Sequence, residues 1–310
     1  GAGRPMCSLP TAPTERWLAG SPAATRWYIS EAGSVNLPKY RYVGSDNSLV
    51  YKYFCSPLAE VLVRAVPAWL APNAITCLGL VPSSLGHAVL WHHCGDLRAR
   101  CPAWCWALSS VCTFVYQTLD NMDGKQARRT GSSSPLGLLL DHSADALNII
   151  LSTLNIMAMF QVGGLRWHCL AIWLGSTTPF FFATWEEYYT GELYLGIVNG
   201  PTEGVLIVCA TAMVSALAED YTSFWNGEVV FGISRKVAMI TFIAVSVVVT
   251  LTTNIAGVAQ ALRRPRPNKA VSSLPAWCGA VAAAAPFCVS SGAAAGLLAL
   301  PSAAAALARR

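Results

Sequence analysis

Charge is scarce in this chain. Only 12% of its 310 residues are Asp, Glu, Lys or Arg, against about 25% in an ordinary soluble domain. With 54% apolar residues and a mean hydropathy of +0.45, the composition excludes a typical soluble globule and points to an integral membrane protein. Aromatic and basic residues are not interleaved, so nucleic acid is not an expected partner. The net charge of +5 is unevenly placed and speaks to membrane orientation. No CxxC pair occurs among the 11 cysteines, which argues against a zinc ribbon or a redox dithiol. Cys77, Cys101, Cys105, Cys112, Cys169, Cys209, Cys278 and Cys288 lie in or near apolar stretches, with Cys101 and Cys105 expected on one helix face. They read as buried free thiols acting as small hydrophobes. A signal peptide's ordered charged, apolar and small-residue regions are not evident, so the first membrane segment is expected to direct insertion. There is no internal repeat.

Long hydrophobic runs are present instead. Runs of spanning length, about 17–25 residues, fall near 73–91, 102–119, 136–162, 167–185, 201–218, 236–262 and 275–300. The last is Ala- and Gly-rich and a weaker candidate. The fold class expected is all-α: a polytopic transmembrane helical bundle of six or seven spans. Before the spans, residues 46–66 place Leu49, Val50, Tyr53, Phe54, Leu58, Val61 and Leu62 at three- and four-residue steps, with Lys52, Glu60 and Arg64 on the other face. That pattern predicts an N-terminal amphipathic helix lying in the membrane interface, ended by Pro67 and Pro72. Three regions follow: a mobile Pro-, Gly- and Ser-rich segment at 1–44, a membrane domain at 45–270 and a divergent Ala-rich segment at 271–310. Lys and Arg concentrate in the loops that share a side with the N-terminus, which predicts that this side is cytosolic.

Four carboxylates stand at the edge of this apolar framework. Asp120, Asp123, Asp141 and Asp145 belong to the spacing D-x2-D-G-x2-A-R-x8-G-x3-D-x3-D. Such a group beside hydrocarbon needs compensation, and hard carboxylate oxygens suit Mg2+ or Mn2+. Residues three or four apart share a helix face, so two helices joined by a short turn can aim both pairs into one pocket holding one or two cations. Gly137, one turn before Asp141, leaves room for a flat or bulky group. Gly124 is expected to let the chain turn closely past a ligand. Arg128 is suited to a forked contact with phosphate. An Asp/Arg ion-pair cluster is the bland alternative, but ion pairing alone would not require both glycines.

The spacing matches the CDP-alcohol phosphotransferase signature at every specified position. The longer run Asp123-Gly124-Lys125-Gln126-Ala127-Arg128-Arg129-Thr130, then Ser132-Ser133-Ser134-Pro135-Leu136-Gly137 and Asp141-His142, resembles the eukaryotic choline/ethanolaminephosphotransferase branch. Ala71-Pro72-Asn73-Ala74-Ile75-Thr76, Ala183-Thr184-Trp185-Glu186-Glu187-Tyr188-Tyr189 and Gly200-Pro201-Thr202-Glu203-Gly204 add to the likeness, which covers about residues 40–270. The resemblance implies that the four aspartates bind two Mg2+ or Mn2+ ions and that Asn73 and Arg128 contact the CDP-alcohol. It implies that His142 accepts a proton, with Glu203 raising its basicity. The implied reaction transfers phosphocholine or phosphoethanolamine from CDP-choline or CDP-ethanolamine to diacylglycerol, at a site facing the cytosol in the lipid bilayer of the endoplasmic reticulum or Golgi. Pairing as a homodimer is a further implication.

Other readings compete with this one. A related transferase with another head group or acceptor shares the motif, and so does a non-catalytic relative. A divalent-cation transporter is disfavoured because the carboxylates gather at one membrane edge and not at its midplane. Leu138 departs from the family's frequent Glu, and the chain after Lys269 diverges. His87, His92, His93 and His168 read as structural or interfacial. Trp185, Tyr188 and Tyr189 fit an aromatic belt better than an ammonium cradle. Glu186 and Glu187 are open between site and surface, whereas Glu203 opens an apolar span and needs a partner.

Overall fold

In a computed structural model, residue 37 and residues 41–163 and 166–263 are described. The expected span at 275–300 and nearly all of the segment at 1–44 lie outside the described residues. A short strand β1 (Gly44–Asp46) leads through a π-helical turn at Tyr51–Cys55 into α1 (Ser56–Ala65). The long helices α2 (Pro72–Cys94), α3 (Ala103–Thr130), α4 (Pro135–Met159) and α5 (Arg166–Thr190) follow. Strand β2 (Leu193–Leu195) and a π-helical turn at Gly200–Gly204 lead into α6 (Val205–Leu217). The rest is α7 (Tyr221–Asn226), the hairpin β3 (Glu228–Val230) and β4 (Ile233–Ser234), and α8 (Arg235–Arg263). The described part is a helical bundle in which α3 packs on α2, α6 and α1, α4 on α2, and α8 on α5.

Among the described residues, three helical segments are long and apolar enough to cross a membrane: Pro72–Cys94, Gly200–Leu217 and Arg235–Arg263. Helix α8 leaves Phe242, Val245, Val248 and Val249 exposed, as a lipid-facing helix would. Helices α3 and α4 carry more polar residues, and these point inward. Ser83 donates to Asn148 Oδ1 at 2.7 Å, Asn155 Nδ2 to Ser109 Oγ at 3.3 Å and Ser110 to the Cys209 carbonyl at 2.8 Å. Interior hydrogen bonds of this kind join helices where lipid supplies no competing partner. His87 meets Asn155 Oδ1 at 2.8 Å and so serves the same interior.

Local sequence explains the helix ends that matter. Pro72 starts α2 and Pro135 starts α4 at positions where a missing N–H costs nothing. The Ser134 hydroxyl caps α4 by accepting the Gly137 N–H at 3.1 Å. Helix α3 ends at Gly131, whose φ of 66° only glycine adopts freely. Beyond it the Ser132 N–H returns to the Ala127 carbonyl at 3.0 Å, a common way to close a helix.

Three expectations need correction here. Gly124 does not turn the chain, because α3 runs unbroken through the aspartates to Thr130. The reversal belongs to Gly131 and the serines after it, where a left-handed residue is available. Cys77 is exposed and not buried, although Cys55, Cys94, Cys101, Cys105, Cys112 and Cys209 are buried free thiols. Cys101 also precedes α3 rather than sharing a helix face with Cys105.

Helix α1 is anchored through its polar side. Lys125 Nζ donates to Ser56 Oγ at 2.8 Å and Glu60 Oε1 at 3.2 Å, which holds the Glu60 carboxyl below the usual carboxylate range. Arg129 caps the end of the helix by donating to the carbonyls of Val63 and Val66. Tyr53, Phe54, Val61 and Leu62 stay exposed, with Tyr53 71% accessible.

At the end of the bundle away from the aspartates, Leu90, Cys105, Trp106, Phe160, Trp173, Tyr221 and Trp225 form the largest core cluster.

Candidate active site

The motif helices α3 and α4 bring together three of the four aspartates. Ligand oxygens of Asp120, Asp141 and Asp145 all lie within 4.8 Å of one another. Asp123 stands apart from that group: its Oδ2 accepts the Thr76 hydroxyl at 2.5 Å. Asp123 shares the α3 face with Asp120, but one turn further on its carboxylate is held by the Thr76 hydroxyl of α2. Tyr116, one turn before Asp120, donates its hydroxyl to Asp145 Oδ1 at 2.9 Å.

Asp120 Oδ1 is buried without a hydrogen-bond partner. A buried, unsatisfied carboxylate oxygen is costly, and here it lies among two further carboxylates. That arrangement fits a hard divalent cation, whose bonds to oxygen would satisfy all three. These three carboxylates could hold a metal ion.

Two cavities meet at the cluster. The larger, ≈ 790 Å³, is lined by Asp120, Asp123, Asp141, Asn73, Gly124, Arg128 and Gly137, with Ser132, Ser133 and Ser134 at its edge. Its outer wall is the 41–46 strap with Leu193 and Leu195. Tyr42 lies on that wall, 44% exposed. Gly137 lies under Asn73: a Cβ built there would sit 3.4 Å from Asn73 Oδ1. The space left by its missing side chain is therefore partly taken by this amide. Arg128 is exposed on the cavity wall, and a Cβ on Gly124 would lie 3.5 Å from its Nη1.

The second cavity, ≈ 160 Å³, begins at Asp145 and runs past Asn148, Phe180 and Glu203 to Met239, Phe242 and Ile243. Its walls are mostly apolar. The aspartates thus stand between a polar hollow and an apolar one.

His142 is buried, with its ring edge-on to Phe180 at 5.9 Å between centroids. Among the described residues no hydrogen bond or ion pair joins His142 to Glu203, contrary to the simplest form of the expected pairing. The Glu203 carboxylate is engaged elsewhere, accepting the Ser48 hydroxyl and the Asn199 N–H, the latter at 2.9 Å. Glu186 is buried against Gly257, where a side chain would collide with its carboxylate.

A model of the family described as CDP-alcohol phosphatidyltransferase matches residues 69–303. The chain belongs to that family. Among its relatives, a CDP-alcohol phosphatidyltransferase class-I family protein of Dictyostelium discoideum is 38% identical over 228 residues, covering 73% of this chain and 54% of the relative. Choline/ethanolaminephosphotransferase 2 of Arabidopsis thaliana is 41% identical over 193 residues, 61% of this chain and 49% of the relative. Cholinephosphotransferase 1 of Xenopus laevis is 36% identical over 217 residues, 67% of this chain and 52% of the relative. The chain spans about half the length of the curated relatives it matches.

Some residues of this CDP-alcohol phosphatidyltransferase site escaped the sequence reading. Tyr116 could have been found, since it precedes Asp120 by one helical turn. Thr76 stood in the quoted Asn73 segment without a role. Asp46 and Ser48 carried no signal, because their bonds to Asn199 and Glu203 cross 153 and 155 residues of chain; Asn199 lies only four residues before Glu203.

Proposed function

We propose that this family member transfers phosphocholine or phosphoethanolamine from a CDP-alcohol to the hydroxyl of diacylglycerol, releasing CMP. The observation that carries the reading is the aspartate cluster at the junction of a polar and an apolar cavity. A water-soluble nucleotide ester and a lipid alcohol need such a junction to meet. The relatives' names, choline/ethanolaminephosphotransferase and cholinephosphotransferase, support the head groups.

In this reading Asp120, Asp141 and Asp145 hold Mg2+ or Mn2+, with Asp123 completing a site for two ions. When bound, such ions neutralise the pyrophosphate and stabilise charge on the departing CMP. Asn73, Gly124, Arg128 and Gly137 form the wall that seats the CDP-alcohol, Arg128 offering a forked donor to phosphate. The diacylglycerol hydroxyl enters along the apolar cavity past Phe180. Its oxygen attacks the phosphorus that carries the head group, and the bond from that phosphorus to the bridging oxygen breaks. CMP leaves with the bond's electron pair, and His142 takes the hydroxyl proton. Glu203 acts from the wall of the same apolar cavity, since its oxygens are committed to Ser48 and Asn199.

The membrane arrangement belongs to the same proposal. Six spans correspond to α2, α3, α4, α5, the 200–217 segment and α8. Gly200–Leu217 has 18 residues, about 27 Å of helix, close to a hydrocarbon thickness of about 30 Å. Helix α1 and the Tyr51–Cys55 turn before it lie in the interface, with Tyr53, Phe54, Val61 and Leu62 toward lipid. The Lys and Arg bias supports a cytosolic site in the endoplasmic reticulum or Golgi, and homodimeric pairing is part of the same reading.

The test is CMP release by purified protein from CDP-choline and CDP-ethanolamine with diacylglycerol, with and without Mg2+. Metal-dependent release that falls sharply in His142→Ala, with CDP-alcohol binding retained, is the expected result. Wild-type protein that binds metal but releases no CMP from either donor overturns the assignment.

A further inference from the structure

The strap that closes the polar cavity also holds Glu203. Strand β1 pairs in parallel with β2, Gly44 opposite Leu193 and Asp46 opposite Leu195, and the Asn47 N–H extends the ladder to the Leu195 carbonyl at 3.0 Å. This pairing carries Ser48 across to the turn that opens α6. There Ser48 is 0% exposed, and its Oγ accepts the Tyr51 N–H at 2.9 Å. The one hydroxyl proton is directed to Glu203 Oε1. Glu203 Oε2 accepts the Asn199 N–H at 2.9 Å, so each carboxylate oxygen has its own donor.

Asp46 ties the two donors together. Its Oδ1 accepts the Ser48 N–H at 2.8 Å and Asn199 Nδ2 at 3.0 Å, and its Oδ2 accepts the Thr202 hydroxyl at 3.0 Å. Asn199 Oδ1 in turn accepts the Thr202 N–H at 2.8 Å. A strap that needed only anchoring would be served by the strand ladder. Two of the added bonds fix both oxygens of Glu203, on the wall of the cavity that reaches Asp145, and three more fix the Asp46 that holds their donors.

We propose that Ser48 is a positioning residue that fixes the Glu203 carboxylate on the wall of the apolar cavity, with Asp46 holding Ser48 and Asn199 in place. The proposal rests on the transferase reading above. Networks that orient a functional carboxylate typically change activity by about 10–100-fold when cut. Ser48 lines neither of the two cavities, so its effect passes through Glu203.

The experiment is a double-mutant cycle on CMP release in detergent-purified full chain, using Ser48→Ala, Glu203→Gln and the pair. Ser48→Ala is expected to lower kcat by about 10-fold or more, leaving KM for the CDP-alcohol within about 3-fold. In the Glu203→Gln background the same change is expected to cost less than about 2-fold, since residues acting as a unit are not additive. Equal losses in both backgrounds, or a Ser48→Ala enzyme with wild-type kcat, overturn the proposal. Should Ser48→Ala fail to fold, Asp46→Asn enters the same cycle. It leaves the Ser48 hydroxyl but weakens its anchor, and additivity with Glu203→Gln overturns the proposal equally. Wild-type protein inactive on both donors removes the transferase reading itself, and the positioning role falls with it. Active wild type with an additive cycle removes only the role of Ser48.

Discussion

The Tyr116 hydroxyl donates to Asp145 Oδ1 across 2.9 Å, from a side chain only 2% exposed. The bond holds one oxygen of a carboxylate whose ligand atoms lie within 4.8 Å of those of Asp120 and Asp141. Tyr116→Phe keeps the packing and removes only the donor. It is expected to weaken metal affinity by about 10–100-fold, as loss of an outer partner of a ligand does. A Mg2+ titration of thermal unfolding measures this; unchanged affinity would show that Asp145 needs no such support.

Metal occupancy should also report on folding. A cation at 100 times its Kd stabilises the protein that binds it by about 2.7 kcal/mol. Added Mg2+ should raise the unfolding midpoint of wild type, and chelation should reverse the rise. Asp141→Asn is expected to abolish both the shift and metal-dependent turnover while still inserting into membranes. A full Mg2+ shift in that variant would remove Asp141 from the site.

Helices α2 and α3 approach closely at Gly86. A Cβ placed there would stand 3.0 Å from Cys112 Cβ and 3.4 Å from Ser109 Cα, and small residues are what permit such contact between membrane helices. Gly86→Val is expected to destabilise the bundle by about 1–3 kcal/mol. Loss of activity should follow unfolding, with no change in KM in the protein that remains folded. A midpoint equal to wild type would contradict this packing.

A pH effect is expected at the turn between α2 and α3. Asp96 accepts the backbone N–H groups of Ala99 at 2.8 Å and Arg98 at 2.9 Å, which hold its carboxyl below the ordinary aspartate range. A carboxylate with a depressed folded pKa stabilises fully above its unfolded value and loses the contribution as pH falls through the folded one. Asp96 is exposed, so solvent screening reduces the effect and Asp96→Ala should cost about 0.5–1 kcal/mol at neutral pH. The difference from wild type should stay flat above about pH 5 and shrink below about pH 4. Thermal unfolding across that range measures it, and a gap that widens on acidification would reverse the assignment.

Much of the site was readable because it is local. Asp120, Asp141 and Asp145 lie on two helices joined by a short turn, and helical periodicity alone indicated that they converge. The six described long helical segments likewise fall close to the hydrophobic runs, and three of them are apolar enough to cross a membrane. Asp123 was harder. Its spacing matches that of a ligand, yet the Thr76 hydroxyl of α2 holds its carboxylate. Glu203 was singled out as a carboxylate needing a partner, but the partner was sought in His142 and the structure supplies Ser48 and Asn199.

By itself the chain's order of residues determined where helices form, which carboxylates recur at one-turn spacing and that water is largely excluded from their surroundings. These are properties of neighbours within a few turns, governed by periodicity and transfer free energy. Tertiary structure alone decided that Tyr116 supports Asp145, that polar and apolar hollows meet at the aspartates, and that the strap reaches Glu203. Such contacts depend on how helices cross and how distant strands pair, and no local spacing encodes them.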